Sequence, residues 1–212
     1  MKKIIPAISI GFLLCFIISA YMDTTEAALS QGLIRLHVVA NSDEASDQAL
    51  KIKVRDRILK ECESLSDLEN LDMVKVDLCQ NLDYINEIAK DEIQKNGYDY
   101  DVISTYELCE FPQKKYGNIT LPAGPYQALN IKIGKAEGKN WWCVLFPPLC
   151  FVDEACVSVS DESNTYLKNQ LGDNVYQMVT DDSMGVEFKL KSYEIWNSGK
   201  NKLKKYMANL SR

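Results

Sequence analysis

The sequence predicts a single α+β domain in which an N-terminal strand and two helices pack on an antiparallel sheet. Residues 33–39 alternate between two sets of side chains, which is typical of a strand with one face packed inward. Leu50, Val54 and Ile58 then recur at the spacing of one buried helix face. Residues 126–133 alternate again, so strands lie on both sides of the helical part.

Two helical stretches follow the first strand. Turn-forming residues at 40–43 end that strand, and the Ser-Asp pair at 46–47 can cap the first helix. The Ser-Asp pair at 66–67 begins the second stretch, which we expect to be interrupted near Asp77. The Asn-Gly pair at 96–97 ends it, because both residues tolerate the left-handed conformation that closes a helix.

The remaining predicted strands lie close together in the sequence. Residues 98–111 alternate aromatic, aliphatic and polar side chains, and with 119–121 and 126–133 they predict an antiparallel meander. The densest apolar stretch outside the N-terminus covers 141–152 and contains two prolines at 147–148. Because proline disrupts a central strand, we place this stretch at a sheet edge or over one end of the core.

The C-terminal part is polar and gives weaker patterns. Residues 153–182 predict a loop with one short helix at about 165–170. Residues 186–191 alternate and predict the last strand. The basic tail at 197–212 is either solvated or in contact with an anionic membrane or wall polymer.

The N-terminus predicts export. Lys2 and Lys3 precede a run without charge over residues 4–22, which is the pattern of a signal peptide. As a helix the run spans about 28 Å, close to the thickness of a bilayer core, so a retained membrane anchor is the alternative. The predicted organisation is a signal peptide or N-terminal anchor at 1–28, an α+β domain at 29–196 and the tail at 197–212.

The cysteines are interpreted in that exported setting. An even number of cysteines lies outside the N-terminal segment, and this favours disulfides. Buried free thiols are the competing interpretation. Cys143 and Cys150 are the best candidate pair, because the two prolines between them bend or stiffen the chain. The full set outside the N-terminal segment is Cys62, Cys79, Cys109, Cys143, Cys150 and Cys156.

Charge and motifs favour a protein that acts by contact. The net charge of −6 argues against nucleic acid as a partner. His37 is the one histidine, which excludes a multi-histidine metal site, and C-x-x-C, G-x-G-x-x-G and G-x-S-x-G patterns do not occur in the sequence. We therefore expect no catalytic residue, no metal ion and no cofactor.

Three segments carry a resemblance to a known family. The first is IRLHVVANSD at 34–43, and the second is KYGN at 115–118 with LPAGPYQA at 121–128. The third is NWWCVLFPPLCF at 140–151. In this order the segments resemble the stage II sporulation protein R family over about residues 33–152.

The resemblance implies a specific signalling role. Members of that family are made in the forespore of endospore-forming bacteria and exported into the space between the forespore and mother-cell membranes. There they activate a membrane-bound aspartic peptidase of the mother cell, which removes the pro-sequence of the sporulation sigma-E factor. The alternative is an exported cell-wall hydrolase or a wall-binding module.

The partner-contacting residues are expected within the resembling segments. Arg35 and His37 qualify if their face of the first strand is open, and the tryptophans qualify if they are exposed. Each candidate also has a structural explanation, since an arginine can pair internally, asparagines can complete turns and tryptophans can fill a core. The candidates are Arg35, His37, Asn41, Ser42, Asp43, Asn118, Trp141 and Trp142.

Overall fold

The computed structural model describes residues 24–62, 70–150 and 159–180, together with Gly11, Leu13 and Phe16. A short helical stretch at 24–32 leads into the first strand. The longer helices are α1 (Ala45–Glu61), α2 (Leu71–Gln80), α3 (Leu82–Lys95) and α4 (Asp161–Thr180). The strands are β1 (Ile34–Val39), β2 (Val102–Phe111), β3 (Lys114–Tyr116), β4 (Ile119–Leu121), β5 (Gly124–Ile133) and β6 (Asn140–Phe146).

Four of the strands form one sheet in the order β2-β5-β1-β6, and β3 pairs with β4 in a separate hairpin. The predicted α+β fold class is confirmed. The expectation of an antiparallel sheet is wrong for one pair, because β1 runs parallel to β5 while β2–β5 and β1–β6 are antiparallel. A parallel pair requires a long crossover connection, and the helices between β1 and β5 are part of that connection.

The core lies between the helices and one face of the sheet. The predicted stripe of α1, Leu50, Val54 and Ile58, is almost completely buried. Leu36 and Val38 of β1 are fully buried and belong to the same apolar cluster. Burial of this surface from water is the main favourable term in folding. The sheet face with Leu36 and Val38 therefore packs on the helices, and the face with Arg35 and His37 is the opposite one.

The helix boundaries differ from the predicted ones in instructive ways. The second helical stretch is interrupted as expected, but at Asn81, whose side-chain amide donates to the carbonyl of Asp77 at 2.8 Å. Asp47 lies in the first turn of α1 and accepts hydrogen bonds from the preceding turn instead of capping the helix. The predicted cap at 66–67 lies outside the described residues.

The C-terminal helix is much longer than expected. The short helix predicted at about 165–170 is the middle of α4, which covers residues that the sequence analysis assigned to a loop. Ser160 begins it, because its hydroxyl accepts a hydrogen bond from the amide of Ser163 at 3.3 Å. Gly172 interrupts the helix with φ 75° and ψ 158°. The predicted strand at 186–191 and the tail at 197–212 lie outside the described residues.

The described part of the apolar stretch, residues 141–150, behaves as its prolines predict. Its strand, β6, occupies one edge of the sheet and ends at Phe146, directly before Pro147. Cys143 and Cys150 are joined by a disulfide, which confirms that candidate pair. Cys62, Cys79 and Cys109 are free thiols in the part of the chain that the structure describes. Within those same residues no helix combines the length and apolar character needed to cross a membrane.

The loop after β5 packs tightly on the turn after β1. The amide of Gly138 donates to the carbonyl of Ala40 at 3.0 Å. A Cβ atom at Gly138 would lie 2.6 Å from the carbonyl carbon of Ser42, so backbone would have to move. We expect Gly138→Ala to lower the free energy of unfolding by about 2–3 kcal/mol, as overpacking does.

Gly97→Ala is the matched control for this prediction. Gly97 has a positive φ of 83°, which Gly138 does not have, and nothing lies within 4 Å of a Cβ placed at Gly97. The control therefore measures backbone strain alone, which costs about 1 kcal/mol. Urea unfolding of the two variants would contradict the packing argument if they lost equal stability.

Candidate partner-binding face

The sheet face opposite the helices carries a set of polar and aromatic side chains, and all of them except the buried Asn130 are at least partly exposed. His37 lies on this face at the centre of β1, as its alternation predicts. Register places Asn130 of β5 beside His37 and Trp142 of β6 on its other side. Glu107 lies one strand further out on β2, where its carboxylate reaches Asn130. We call these four residues, with Thr105 and Asn140, the open face.

Hydrogen bonds join the polar members of the open face. The amide nitrogen of Asn130 donates to Glu107 Oε1 at 2.9 Å, and the hydroxyl of Thr105 donates to the same oxygen at 2.8 Å. His37 Nε2 lies 2.8 Å from Asn140 Oδ1, close enough for a hydrogen bond from the ring nitrogen. These bonds form two separate groups, one between β2 and β5 and the other between β1 and β6, and between the groups His37 Nδ1 and Asn130 Oδ1 have no hydrogen-bond partner among the described residues.

Aromatic stacking fixes the orientation of the histidine. The His37 and Trp142 rings are nearly parallel, with centroids 3.7 Å apart. The edge of Phe111 packs against Trp142 at a centroid distance of 4.6 Å. Both His37 and Trp142 are partly exposed, so this stack offers a flat amphipathic surface.

The electrostatics of the open face oppose protonation of its histidine. Burial lowers the pKa of His37, and the charge of Lys132 lowers it further, although Asn140, Asn130 and Glu107 act in the opposite direction. The hydrogen bonds from Asn130 and Thr105 lower the pKa of Glu107. At neutral pH the face therefore presents a neutral imidazole and an ionised carboxylate.

Arg35 lies on the same side of β1 but is fully buried. Its Nη2 donates to the hydroxyl of Tyr116 at 3.0 Å. Its guanidinium carbon lies 4.2 Å from the ring centre of Phe111 and 4.9 Å from that of Tyr126. Cation–π contacts of this kind stabilise a desolvated cation. Arg35 has no surface for direct partner contact here; it positions the aromatic residues beneath the open face.

The turn candidates are bonded internally. Asn41 and Ser42 both donate to Asp47 Oδ2, at 2.8 and 2.6 Å. Asn41 Oδ1 and Asp43 Oδ1 accept from backbone amides of the loop 134–139, at 3.0 and 2.7 Å. These side chains fasten the turn to the loop, although Asp43 remains exposed.

The last two candidates lie apart from the open face. Asn118 Oδ1 accepts from the amide of Val159 at 3.4 Å and so connects the β3–β4 hairpin to the start of α4. Trp141 points to the helix side of β6, where the guanidinium of Arg55 lies 4.1 Å from its ring centre. The structure thus brings His37 and Trp142 together and separates both from Trp141 and Asn118.

Four members of the open face were missed by the sequence analysis. They are Thr105, Glu107, Asn130 and Asn140. Period-two alternation in the predicted strands separates each strand into two faces, which is the signal that could have found them. This alternation does not say which face of one strand lies on the same side of the sheet as which face of its neighbour. Among the described residues, no group of three or more His, Cys, Asp or Glu side chains is arranged to hold a metal ion.

Comparison with known proteins decides the family. The pattern of the family described as stage II sporulation protein R matches residues 30–156, which is more than half of the chain. The chain belongs to the stage II sporulation protein R family. The match contains the whole four-stranded sheet and therefore the complete open face.

A curated relative agrees with this family. The chain is 41% identical over 121 residues to a protein named stage II sporulation protein R of Bacillus subtilis (strain 168). The alignment covers 57% of this chain and 54% of the relative, so the chain spans about half of that protein's length. No solved structure matches the chain significantly.

The hydrogen bond between Arg35 and Tyr116 gives a stability prediction. Tyr116→Phe keeps the buried ring and removes the acceptor of the guanidinium, which costs about 1.5–3 kcal/mol when a charged group loses its partner. Tyr98→Phe is the control, because the Tyr98 ring packs on Tyr100 instead of on a cation. Urea unfolding measures both. Equal losses of stability would contradict the role of the Arg35–Tyr116 bond.

The lowered pKa of His37 gives a pH prediction. In the unfolded chain, the His37 imidazole takes up a proton below its ordinary pKa of about 6.5. The folded state resists this protonation, so the free energy of unfolding decreases as pH falls below that value. Between about pH 7.5 and about pH 5.5 the wild type should lose more stability than His37→Gln, which cannot titrate. Urea unfolding at both pH values tests this, and parallel losses would show that His37 does not contribute.

Proposed function

We propose that this chain is an exported signal of endospore formation. It is made in the forespore, enters the space between the forespore and mother-cell membranes, and activates a membrane-bound aspartic peptidase that processes pro-sigma-E. The observation that carries the proposal is the family match over residues 30–156. That the curated relative bears the name of a stage II sporulation protein supports the same process.

The proposed mechanism is activation by binding. A protein ligand shifts an equilibrium between inactive and active peptidase only through its higher affinity for the active form. The open face has the composition of such a contact, with the His37–Trp142 stack next to the Asn130–Glu107 pair. The aromatic stack can be desolvated on contact, and the ionised carboxylate restricts which partner groups fit beside it.

The direct test is a cleavage assay in cells. Pro-sigma-E and the peptidase are expressed together, with or without the full-length chain, and cleavage is followed by immunoblot. We expect cleavage only when the chain is present and exported; a variant without residues 1–28 is the control for export. Cleavage that is independent of a folded, exported chain would overturn the proposal. Direct binding to purified peptidoglycan would then favour the wall-directed alternative.

The adjacent tryptophans provide a matched pair for locating the contact. Trp142→Ala removes an aromatic anchor from the open face, and we expect it to reduce cleavage about tenfold, as loss of an interface hot spot does. Trp141→Ala removes an equal volume from the helix side, where the ring packs on Arg55, and we expect at most about a twofold effect.

Export level and protease resistance of both tryptophan variants are measured in the same cells. Since both substitutions remove a partly buried indole from one strand, a general loss of folding would affect them similarly. A larger loss of cleavage with Trp141→Ala would assign the contact to the helix side instead.

A further inference from the structure

Among the described residues, no strand pairs with the outer edge of the sheet at β2. The β2–β5 ladder runs from Val102 to Phe111 without a register shift, so the direction of its backbone groups alternates strictly. The amide of Ser104 donates to the side chain of Asn86 on α3 at 2.7 Å, so it points away from β5. By alternation, the N–H and C=O groups of Tyr106, Leu108 and Glu110 also point outward.

The part of the chain that the structure describes protects the beginning of this edge. Asn86 satisfies the amide of Ser104, and no hydrogen bond is recorded for the outward amides of Tyr106, Leu108 and Glu110 in the described part of the chain. Leu108 is 57% exposed beside them. Natural proteins generally cover or disrupt such edges, because a row of unpaired groups is a template for another strand.

The charged side chains of β2 itself are both acidic. Glu107 and Glu110 are exposed on either side of Leu108. Asp72 of α2 also acts electrostatically on Tyr106, but its carboxylate is paired with Lys75 Nζ at 3.2 Å. Lys132 of β5, which is opposite Ile103, partly offsets the charge of Glu107 but lies towards the protected end of the edge. An occupant with basic side chains is therefore favoured over an acidic one.

We propose that the edge of β2 from Tyr106 to Glu110 is a strand-addition site for an extended, basic segment of a partner protein. The added strand runs antiparallel to β2 and exchanges main-chain hydrogen bonds with Tyr106, Leu108 and Glu110. An apolar side chain lies opposite Leu108, and Lys or Arg side chains lie opposite Glu107 and Glu110. Main-chain bonds supply the affinity of such complexes and side chains supply the specificity.

This inference does not depend on the proposed function. It concerns the outer edge of β2, which shares Glu107 with the open face, and it specifies the chemistry of the occupant, not its identity. If the signalling proposal fails, the edge remains as described, and if the edge binds no strand, the signalling proposal is unaffected.

The probe is a short peptide that matches the edge. Blocked Lys-Thr-Val-Lys-Thr-Val places its first lysine opposite Glu110, its first valine opposite Leu108 and its second lysine opposite Glu107. Blocked Glu-Thr-Val-Glu-Thr-Val is the charge-reversed control. Each is titrated into the isotopically labelled full-length chain in neutral detergent, and backbone amide signals are followed by NMR.

We expect the basic peptide to shift and protect the amides of Tyr106, Leu108 and Glu110, and to bind at least about tenfold more tightly than the acidic peptide. Equal binding of both peptides, no binding, or shifts confined to another part of the chain would each overturn the proposal.

Two substitutions at one exposed position separate the contribution of the backbone hydrogen bond from that of the side chain. Leu108→Pro removes the outward amide without touching a bond to β5, and we expect binding to weaken about tenfold through loss of that hydrogen bond. Leu108→Thr keeps the amide and a strand-forming side chain, and we expect a loss of about threefold or less. Equal effects would contradict strand addition.

A charge variant keeps the test decisive if the proline variant is misfolded, which would be evident from altered amide signals of β5. Glu110→Lys changes an exposed side chain and leaves the backbone intact. We expect it to weaken the basic peptide about fivefold and to strengthen the acidic one. An unchanged preference for the basic peptide would overturn the assignment of the occupant.

Discussion

The buried guanidinium of Arg35 is the interaction on which the open face depends. It lies on the central strand β1 and reaches three other parts of the fold: Phe111 at the end of β2, Tyr116 in the β3–β4 hairpin and Tyr126 on β5. A guanidinium stays charged at any physiological pH, so burial is tolerated only while the aromatic faces and the tyrosine hydroxyl surround it. Phe111 in turn packs on Trp142, and the geometry of the His37–Trp142 stack follows from that packing.

The sequence predicts the individual helices and strands of this domain far better than it predicts which strands pair in the sheet. Alternation at 33–39 and the stripe of Leu50, Val54 and Ile58 give the first strand, the first helix and their buried sides. The parallel pairing of β1 with β5 has no local signal, because it joins Arg35 to Ala128 across most of the domain. The length of α4 is not evident either, since its polar residues resemble those of a loop and its stability comes from packing of Leu167 and Leu171.

The same limit applies to the open face. His37 and Trp142 are unusual residues in a recognisable segment, and they were identified individually before their contact was known. Asn130 and Glu107 have no distinctive local context, and only the register of β5 between β1 and β2 brings them beside His37. The sequence likewise leaves open whether Arg35 is buried or exposed, because alternation says which side chains share a face but not what covers it.

The position of β1 at the centre of the sheet has a consequence for how the domain forms. Both neighbours of this N-terminal strand come from the second half of the chain, after the helices α1, α2 and α3. Sheets built on contacts so distant in sequence form slowly, because a long loop must close before any pairing is gained. During synthesis the first ninety or so residues can therefore collapse around helices without acquiring a sheet. β1 can pair with β5 only once Ile133 has been added to the chain, and the four-stranded sheet is complete only after Phe146.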